Sequence, residues 1–299
     1  MRLLIIGAGG FLGAHVRRHA LAAGLDVVTA GRSPLPDSPR HRLADLAADG
    51  PAAIAAILTE MAPDAVVNCV GAISGPPAAL VAANIDGTYA LVTAMQRAKP
   101  ARLVHLGSAA EYGASEPGVP VSEQAAARPA GLYGVTKLAG TRLVGTAAAA
   151  GLDAVVLRVF NPVGPGAPAA SLPGRLAAEL RRALAHGTDV RLGPLDAVRD
   201  FVDARDVADA ALAAVTAGSL PHLVLNVGSG LGVRVRTMVS ELVAASGSRA
   251  VVREDAPGQP RSPDIPWQRA DISRAAGDLG WRPRRDLATS LADLWAATG

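Results

Sequence analysis

Cysteine is almost absent from this sequence, because Cys69 is the single one among 299 residues. One cysteine cannot close a disulfide within the chain, which argues against a disulfide-stabilised secreted domain and fits a reducing compartment. We therefore expect a cytoplasmic protein. The apolar neighbours of Cys69 indicate a buried thiol without a chemical role.

Blocks of like charge are also missing. The formal net charge is +3, aromatic residues make up 3% of the chain, and basic and acidic residues are interspersed. A nucleic-acid-binding surface needs clustered basic residues, so this pattern argues against a nucleic acid partner. No apolar run reaches ~18 residues without a charge or turn former, so we expect neither a transmembrane helix nor a membrane partner. The apolar start at residues 3–6 breaks at Gly7, which favours a strand over a signal peptide.

Lysine is nearly as rare as cysteine, since only Lys99 and Lys137 occur among 29 basic residues. One of the three tyrosines, Tyr133, lies four positions before Lys137. Residues four apart share a helix face, so the phenol and the ammonium can point into one site. A free phenol loses its proton near pH ~10, and a nearby fixed cation lowers that pKa. The pair predicts a tyrosine acid/base assisted by lysine, provided that the rest of the chain supplies a site.

A glycine-rich turn follows the first predicted strand. The run at residues 3–6 leads into three glycines, after which a helix is predicted to about residue 23. Small residues let a pyrophosphate approach the backbone, and the helix N-terminus favours its negative charge. The turn therefore predicts a dinucleotide site that uses Gly7, Gly10, Phe11, Leu12 and Gly13.

The second predicted strand, residues 25–30, is followed by an arginine where a NAD-binding unit usually has an acid. That acid lies roughly 20 residues beyond the glycines and binds the ribose 2′-hydroxyl. Arg32 stands there instead, and a guanidinium can pair with a 2′-phosphate in a forked geometry. We therefore prefer NADP over NAD as the cofactor, with a solvated loop arginine as the alternative interpretation. Asp45 is placed to accept a hydrogen bond from the adenine amino group.

Predicted strands and helices alternate regularly as far as residue 166. This alternation predicts a Rossmann-like doubly wound α/β fold, in which helices cover both faces of a parallel sheet. A late strand is predicted at residues 223–228. Within the regular part, elements that bear on the site are a helix at about 51–61, a strand at 65–70, a helix at about 78–98 and a strand at 102–106.

The chain is predicted to divide into two units. We assign residues 1–165, plus about 200–228, to an NAD(P)-binding domain, and about 166–199 and 229–299 to a smaller C-terminal substrate-binding lobe. Ligands of open α/β sheets bind at the carboxyl ends of the strands. Ser108 follows the fifth predicted strand, so we expect its hydroxyl in that crevice.

Together these motifs resemble those of the extended short-chain dehydrogenases/reductases, the nucleotide-sugar epimerase/dehydratase/reductase superfamily. The spacing Gly7-x-x-Gly10-x-x-Gly13 is that of the extended enzymes, and Tyr133-x-x-x-Lys137 completes the pattern. The resemblance runs nearly end to end. Its further segments are Asn68–Ala72, Asn84–Thr88, Ser108–Gly113, Arg158–Gly166, Arg199–Asp203, Asn226–Gly230 and Leu279–Pro283.

The resemblance implies catalytic roles for three residues. Tyr133 would exchange a proton with the substrate oxygen, and Ser108 would hydrogen-bond the same oxygen. Lys137 would bind the nicotinamide ribose and lower the pKa of Tyr133. This is general acid catalysis coupled to hydride transfer by the cofactor.

The resemblance also implies binding roles and an assembly. Further cofactor contacts would come from Leu46, Val70, Gly71, Ala72, Phe160 and Val163. The sugar or diphosphate of a nucleotide-sugar substrate would contact Asn161, Arg199 and Arg261, with an exposed ion pair as the alternative for the two arginines. A homodimer would form through the helices at 78–98 and 134–150, and a monomeric mass in solution would contradict it. No metal site is expected, because His15 and His19 share a helix face without a third ligand in view.

Reduction, epimerisation and dehydration compete as the reaction. Dehydratases of this superfamily carry acids three and two residues before the second tyrosine, where this chain has Ala109 and Ala110. Glu111 is one residue out of register, and in an extended backbone that slip turns its side chain to the other face. Dehydration is therefore the weakest of the three.

Arg32 helps to separate the other two reactions. A reductase draws on the dissociable NADPH pool, whereas an epimerase commonly recycles bound NAD. The stretch Arg199–Asp206 also resembles the 4-keto-6-deoxyhexose reductases. The sequence thus favours an NADPH-dependent ketoreductase acting on a keto group, at C4, of a nucleotide-linked deoxysugar. An NAD(P)-dependent nucleotide-sugar epimerase is the alternative, and a non-catalytic dinucleotide-binding regulator is the second alternative.

Overall fold

The computed structural model describes residues 1–98, 102–256 and 265–298. In chain order its strands are β1 (Arg2–Ile6), β2 (Asp26–Gly31), β3 (His41–Leu43), β4 (Ala65–Asn68), β5 (Arg102–Ser108), β6 (Ala154–Val159), β7 (Asn161–Val163), β8 (Val190–Arg191), β9 (Val198–Arg199), β10 (Phe201–Asp203), β11 (Val224–Val227), β12 (Val233–Arg234) and β13 (Val252–Arg253). Its α-helices are α1 (Phe11–Ala22), α2 (Leu46–Met61), α3 (Pro77–Val81), α4 (Gly87–Ala98), α5 (Leu132–Ala149), α6 (Leu172–His186), α7 (Ala204–Thr216), α8 (Val235–Ser246), α9 (Ser273–Leu279) and α10 (Leu287–Ala296).

A seven-stranded sheet runs through the larger part of the molecule in the order β3-β2-β1-β4-β5-β6-β11. All of its neighbouring strands pair in parallel. The strand order reverses on either side of β1, and such a reversal opens a ligand crevice at the carboxyl ends of the strands. The predicted Rossmann-like doubly wound sheet is confirmed.

Both faces of this sheet are buried, as the uninterrupted apolar runs of its strands require. Along β1, Leu3 and Ile5 pack on one face in a cluster with Val16 of α1 and residues of α7. Leu4 and Ile6 pack on the other face, in a cluster with residues of α2, α4 and α5. Successive side chains of a strand point to opposite faces, so one short run supplies both layers of the core.

A second core lies among the elements that follow β6. Helices α6, α8 and α10 pack together around Leu176, Met238 and Leu291, all of them fully buried. Short strands pair as β8 with β13, β9 with β12, and β7 with β10. This part of the fold begins where the regular alternation of the sequence ends.

The division into two units stays a prediction, and helix α9 shows that it is less simple than the residue ranges suggest. Ala275 of α9 and the following Trp281 are buried in the core cluster of the large sheet. The Trp281 indole donates to the backbone oxygen of Asp206 at the start of α7, at 2.9 Å. A segment that the sequence assigned to the lobe therefore packs against the sheet.

Helix α2 begins five residues earlier than predicted, because the structure contains a turn of helix before Pro51. Asp45 caps it by accepting hydrogen bonds from the backbone N–H groups of Ala47 and Ala48, at 3.1 and 3.2 Å. Gly50, with φ of 72°, then separates two helical pieces. An acidic cap and a proline at a first-turn position mark the two starts.

The predicted helix at 78–98 is interrupted by a π-helical turn at Ala82–Asp86, which separates α3 from α4. By length and composition alone, Pro77–Ala98 would be long enough to cross a membrane, but half of that window is buried inside the fold. The same exposure pattern is usual for a core helix. Tyr89 and Val135, on α4 and α5, are exposed, and the homodimer through these helices stays a prediction.

Candidate active site

The glycine-rich turn between β1 and α1 is folded as tightly as its composition suggests. Gly7 has φ of 80°, in the region that favours glycine. A Cβ on Gly13 would lie 2.1 Å from the backbone oxygen of Gly7, so no larger residue fits there. Gly10 is the exposed N-cap of α1, and Phe11 and Leu12, in its first turn, are half-buried. The turn therefore presents a helix N-terminus at the carboxyl end of β1, as a phosphate site requires.

The loop after β4 is fixed by a buried asparagine that the sequence analysis gave no role. Asn84 accepts from the backbone N–H of Ala72 at 3.0 Å and donates to the Ala72 oxygen at 2.9 Å. Its amide also donates to the Thr136 hydroxyl on α5, at 3.0 Å. Gly71 is exposed beside it, and a Cβ there would lie 3.1 Å from the Asn84 carbonyl oxygen. Asn84 thus joins two predicted site segments, the loop from Val70 and the helix of Tyr133.

Helix α5 lies with its first turns against the carboxyl end of β5. Tyr133 is its second residue and is half-buried. A Cβ on Gly134 would lie 2.4 Å from the backbone oxygen of Ala110, so the helix touches the turn that follows Ser108. Ser108 is the last residue of β5, 8% exposed, and its hydroxyl oxygen accepts from the Ala110 N–H at 3.2 Å. The three predicted catalytic residues therefore come from two elements that meet at one end of the sheet.

Lys137 lies one turn further along α5 and is 5% exposed. Its ammonium donates to the backbone oxygen of Leu106 at 2.5 Å, two residues before Ser108. Burial lowers the pKa of Lys137, an effect that the charge of Glu111 partly offsets. Burial raises the pKa of the Cys69 thiol to about 12, so this thiol stays protonated beside the lysine.

Glu111 does not face the crevice, although the reason differs from the expected one. Residues Ala109–Glu111 form a 3₁₀ turn rather than an extended strand. Glu111 is fully buried, and its carboxylate accepts from the Ser108 N–H and from Arg158 Nε, both at 2.8 Å. With Ala109 and Ala110 before it, this carboxylate is committed to the interior and not to a leaving hydroxyl.

Arg32 and Asp45 lie at the β2 side of the crevice. Arg32 is exposed, and no residue in the described part of the chain forms a hydrogen bond or an ion pair with it. It follows Gly31 at the end of β2, and the preceding Ala30 accepts from the Gly7 N–H at 2.8 Å. Asp45 Oδ1 caps α2. The hydrogen bond from the adenine amino group to Asp45 stays a prediction, and it would use the other carboxylate oxygen.

Three predicted cofactor contacts have buried side chains. Leu46, Phe160 and Val163 are buried in three separate apolar clusters. The sequence placed these positions through the family pattern, which does not distinguish a side-chain contact from a backbone contact.

The predicted substrate residues lie beyond β6 and on β9. Asn161 donates from its side-chain amide to the backbone oxygen of Asp200 at 2.8 Å. Arg199 donates to the Val198 oxygen at 2.9 Å, and it has no carboxylate partner within the described ranges. Burial lowers the pKa of the Arg199 guanidinium, and both the substrate contact and the ion pair with an undescribed residue stay predictions. Arg261 lies outside the described residues.

Asp200 was not singled out from the sequence, yet it organises the loops around Arg199. It is fully buried and accepts from the backbone N–H groups of Ser229, Gly230 and Ala270, at 2.6 to 3.0 Å. Burial raises the pKa of its carboxyl group, against the effect of these hydrogen bonds. In the sequence Asp200 simply follows Arg199, and no local pattern indicates that its partners are backbone groups far along the chain.

His15 and His19 share α1 but have different partners. His15 Nε2 lies 2.9 Å from the Pro165 oxygen, and His19 Nδ1 lies 2.7 Å from an Asp209 carboxylate oxygen. Among the residues that the structure describes, no group of three or more His, Cys, Asp or Glu side chains is placed to hold a metal ion.

The model of the NAD dependent epimerase/dehydratase family matches residues 3–228 of the chain. A dTDP-6-deoxy-L-talose 4-dehydrogenase (NAD(P)(+)) from Kitasatospora kifunensis is 38% identical over 303 residues, covering 99% of this chain and 95% of that protein. A UDP-glucose 4-epimerase from Streptomyces lividans is 34% identical over 224 residues, covering 71% of this chain and 67% of the epimerase.

The solved structure of MoeE5 in complex with UDP-glucuronic acid and NAD is 30% identical to this chain. The alignment covers 100% of this chain and 99% of the MoeE5 chain, with a TM-score of 0.88. The likeness therefore extends through the large sheet and through the smaller group of helices and strands that carries Arg199.

Proposed function

Because the chain belongs to the NAD dependent epimerase/dehydratase family and is an extended short-chain dehydrogenase/reductase, we propose that it is an NADPH-dependent ketoreductase. Its substrate would carry a keto group, at C4, on a nucleotide-linked deoxysugar. The observation that carries this proposal lies at the end of β5. Ser108 is the last residue of β5, Lys137 of α5 donates to the Leu106 oxygen of that strand, and the start of α5, which carries Tyr133, touches the turn after Ser108. The neighbouring carboxylate of Glu111 is committed to Arg158.

The relative from Kitasatospora kifunensis supports the C4 position and the deoxysugar. It is named as a 4-dehydrogenase of dTDP-6-deoxy-L-talose, and reduction of a 4-keto group is the reverse of that type of reaction. The absence of an acid at positions 109 and 110 supports reduction over dehydration, since loss of water needs a proton donor for the leaving hydroxyl.

The residues present fit a dinucleotide. Because Gly13 has no Cβ, α1 packs directly against the backbone oxygen of Gly7, which holds the N-terminus of α1 beside the glycine turn where a pyrophosphate would bind. We propose that Gly7, Gly10 and Gly13 form this cradle and that Arg32 pairs with a 2′-phosphate. When bound, the reduced nicotinamide supplies a hydride to the carbonyl carbon.

The protein's own groups then manage the carbonyl oxygen. The Tyr133 hydroxyl donates its proton to that oxygen as it gains negative charge, so that C=O becomes CH–OH. The Ser108 hydroxyl donates a hydrogen bond to the same oxygen and stabilises its developing charge. The Lys137 ammonium, held at the Leu106 oxygen, favours the phenolate that Tyr133 becomes before solvent returns its proton.

The substrate's phosphates would lie near Arg199. This guanidinium is partly desolvated, and no carboxylate in the described part of the chain neutralises it. A diphosphate would offer paired oxygens to its planar donors. We propose that Asn161 also contacts the sugar or the diphosphate, and, from its sequence pattern alone, that Arg261 does so too. We further propose that the enzyme is cytoplasmic.

Consumption of NADPH tests this function. We expect the purified protein to oxidise NADPH with 4-keto-6-deoxysugar nucleotides, followed by the loss of absorbance at 340 nm, and to form one equivalent of 4-hydroxy product. Repeating the assay with keto-sugars linked to different nucleotides shows which nucleotide the enzyme accepts. Turnover with none of the keto-sugar nucleotides would contradict the proposal.

A nucleotide-sugar epimerase is the second candidate, because a UDP-glucose 4-epimerase is 34% identical. An epimerase interconverts two isomers without net consumption of the dinucleotide. Incubation with NAD and UDP-glucose, followed by chromatographic separation of the sugar isomers, distinguishes the two. Isomer formation without oxidised or reduced cofactor accumulating would favour the epimerase.

Replacing Arg32 with alanine is expected to weaken NADPH binding and to leave NADH binding unchanged. Hydrogen bonds to a charged group contribute about 1.5–3 kcal/mol, so the Kd for NADPH should rise roughly 10- to 100-fold. Isothermal titration with each cofactor measures the two effects separately.

Arg97→Ala is the matched control. Arg97 is exposed in the last turn of α4, so its substitution removes the same charge from a different part of the surface. It should change neither affinity. No effect of Arg32→Ala on either affinity would show that Arg32 is a solvated loop residue. An equal effect on NADPH and NADH would show that it contacts a part that the two cofactors share. Either result would contradict a role of Arg32 in NADP preference.

A further inference from the structure

The backbone of Ser108, a proposed catalytic residue, is held by a buried charge. The ladder between β4 and β5 ends at the pair Asn68 and His105, whereas the ladder between β5 and β6 continues to Ser108. The last residues of β5 therefore lack a strand on one side. The Ser108 N–H donates to Glu111 Oε1 at 2.8 Å instead.

Glu111 is itself held by a second buried charge. Its other carboxylate oxygen accepts from Arg158 Nε at 2.8 Å, and the two side chains are 0% and 7% exposed. A Cβ on Gly107 would lie 2.8 Å from Glu111 Oε1, so the glycine before Ser108 makes room for this carboxylate. A charge removed from water is retained only where a partner and hydrogen bonds compensate it.

The Arg158 guanidinium is fixed on its other side by Tyr112. It lies 4.5 Å from the centroid of the Tyr112 ring. The Tyr112 hydroxyl donates to Asn226 Oδ1 on β11 at 2.7 Å, and Asn226 donates in turn to the Val121 oxygen at 2.9 Å. The carboxylate behind Ser108 is thereby tied to β6, to β11 and to the loop at residue 121.

We propose that Glu111 and Arg158 are positioning residues for the reaction, which hold the Ser108 backbone so that its hydroxyl is presented to the substrate oxygen. This inference rests on the proposed reductase function. Glu111 follows the positions at which dehydratases carry their acid, but here the carboxylate binds the Ser108 backbone N–H instead of the substrate. Because Ser108 would stabilise charge on the carbonyl oxygen, a misplaced Ser108 should slow the chemical step more than it weakens substrate binding.

Glu111→Ala is the first test. A displacement of about 1 Å in a catalytic group can cost roughly 100-fold in rate, and we expect a fall of that order in kcat with an unchanged Kd for NADPH. Glu111→Gln keeps an acceptor for the Ser108 N–H and should retain more activity. If the alanine variant does not fold, Glu111→Gln still tests the inference. Arg158→Lys and Arg158→Met provide a second test, in which the lysine variant should retain more activity than the methionine variant.

A double-mutant cycle separates positioning from general stability. If Glu111 acts through Ser108, Glu111→Ala should cause no further loss of kcat in a Ser108→Ala background. A merely structural role would lower kcat by the same factor in both backgrounds, which would overturn the inference.

Asp153→Asn is the matched control, because the ion pair of Asp153 with Arg102 lies at the opposite end of β5. Asp153 accepts from Arg102 Nε at 3.0 and 3.1 Å, and its loss should lower the Tm without changing kcat. An equal fall in kcat for this variant and for Glu111→Ala would show that a broken ion pair at either end of β5 has the same effect, and would overturn the inference.

A readout without catalysis distinguishes this inference from the proposed function. Hydrogen exchange followed by NMR should show a protected Ser108 amide in the wild type and in Glu111→Gln, and faster exchange at that amide in Glu111→Ala. If no keto-sugar nucleotide is reduced, the function fails while the exchange result still decides whether Glu111 holds Ser108. Unchanged protection in Glu111→Ala would overturn the positioning role.

Discussion

Tyr133→Phe is expected to abolish reduction while the protein still binds NADPH. The substitution keeps the ring and removes the hydroxyl that would protonate the carbonyl oxygen. General acid catalysis contributes about 100- to 10,000-fold to a rate, and we expect a loss of kcat in that range. Stopped assays of alcohol product measure the residual rate, and titration with NADPH should give a Kd close to that of the wild type.

No other tyrosine is placed to replace Tyr133. The Tyr112 hydroxyl is buried and donates to Asn226 Oδ1 at 2.7 Å, and burial raises the pKa of Tyr112 to about 12. Tyr89 is 53% exposed on α4, so Tyr89→Phe removes the same atom from the surface and should leave turnover unchanged. Near-normal turnover of Tyr133→Phe would show that the proposed mechanism is wrong, whatever the fold.

The parts of this site that lie close together in the sequence were predictable from it. The glycine-rich turn lies within one strand, turn and helix, and its pattern follows from the space and the backbone angles that a phosphate cradle needs. Tyr133 and Lys137 are one helical turn apart, so a periodicity of 3.6 residues places them together. The parallel sheet with helices on both faces followed from the regular alternation of strands and helices.

The parts that depend on distant partners were not predictable. Glu111 and Arg158 are 47 residues apart, and Asn84 and Thr136 are 52 residues apart. No local pattern marks such a pair, because each member is an ordinary polar residue until the sheet brings them together. The π-helical turn at Ala82–Asp86 also breaks the regular period that was used to predict one helix. Asn84 has a weak signal of its own, since it is a polar residue within an otherwise apolar stretch, and π-helical turns are frequent at functional sites.

Lys137→Met is expected to damage both cofactor binding and turnover. Methionine is similar in length to lysine but cannot donate to the ribose hydroxyls or stabilise the Tyr133 phenolate. Charged hydrogen bonds contribute about 1.5–3 kcal/mol, so the Kd for NADPH should rise roughly 10- to 100-fold. The loss of kcat should approach that of Tyr133→Phe, because the proton donor keeps its hydroxyl but loses the cation beside it.

The stability of Lys137→Met separates this functional loss from unfolding. Burial lowers the pKa of Lys137 below its usual 10.5, so the folded state binds its proton less tightly than the unfolded state does. Wild-type stability therefore gains a contribution as pH rises from the lowered pKa toward 10.5, because the unfolded chain then holds more protons. Methionine removes the desolvated charge and this alkaline gain, although it leaves the Leu106 oxygen without its donor. We expect a urea midpoint at neutral pH that is close to the wild-type value, and a midpoint difference that shifts in favour of the wild type at alkaline pH. A folded variant with wild-type turnover and wild-type affinity for NADPH would contradict a functional role, whereas a folded, inactive variant with weak NADPH binding would support a lysine that acts on the cofactor and on Tyr133 together.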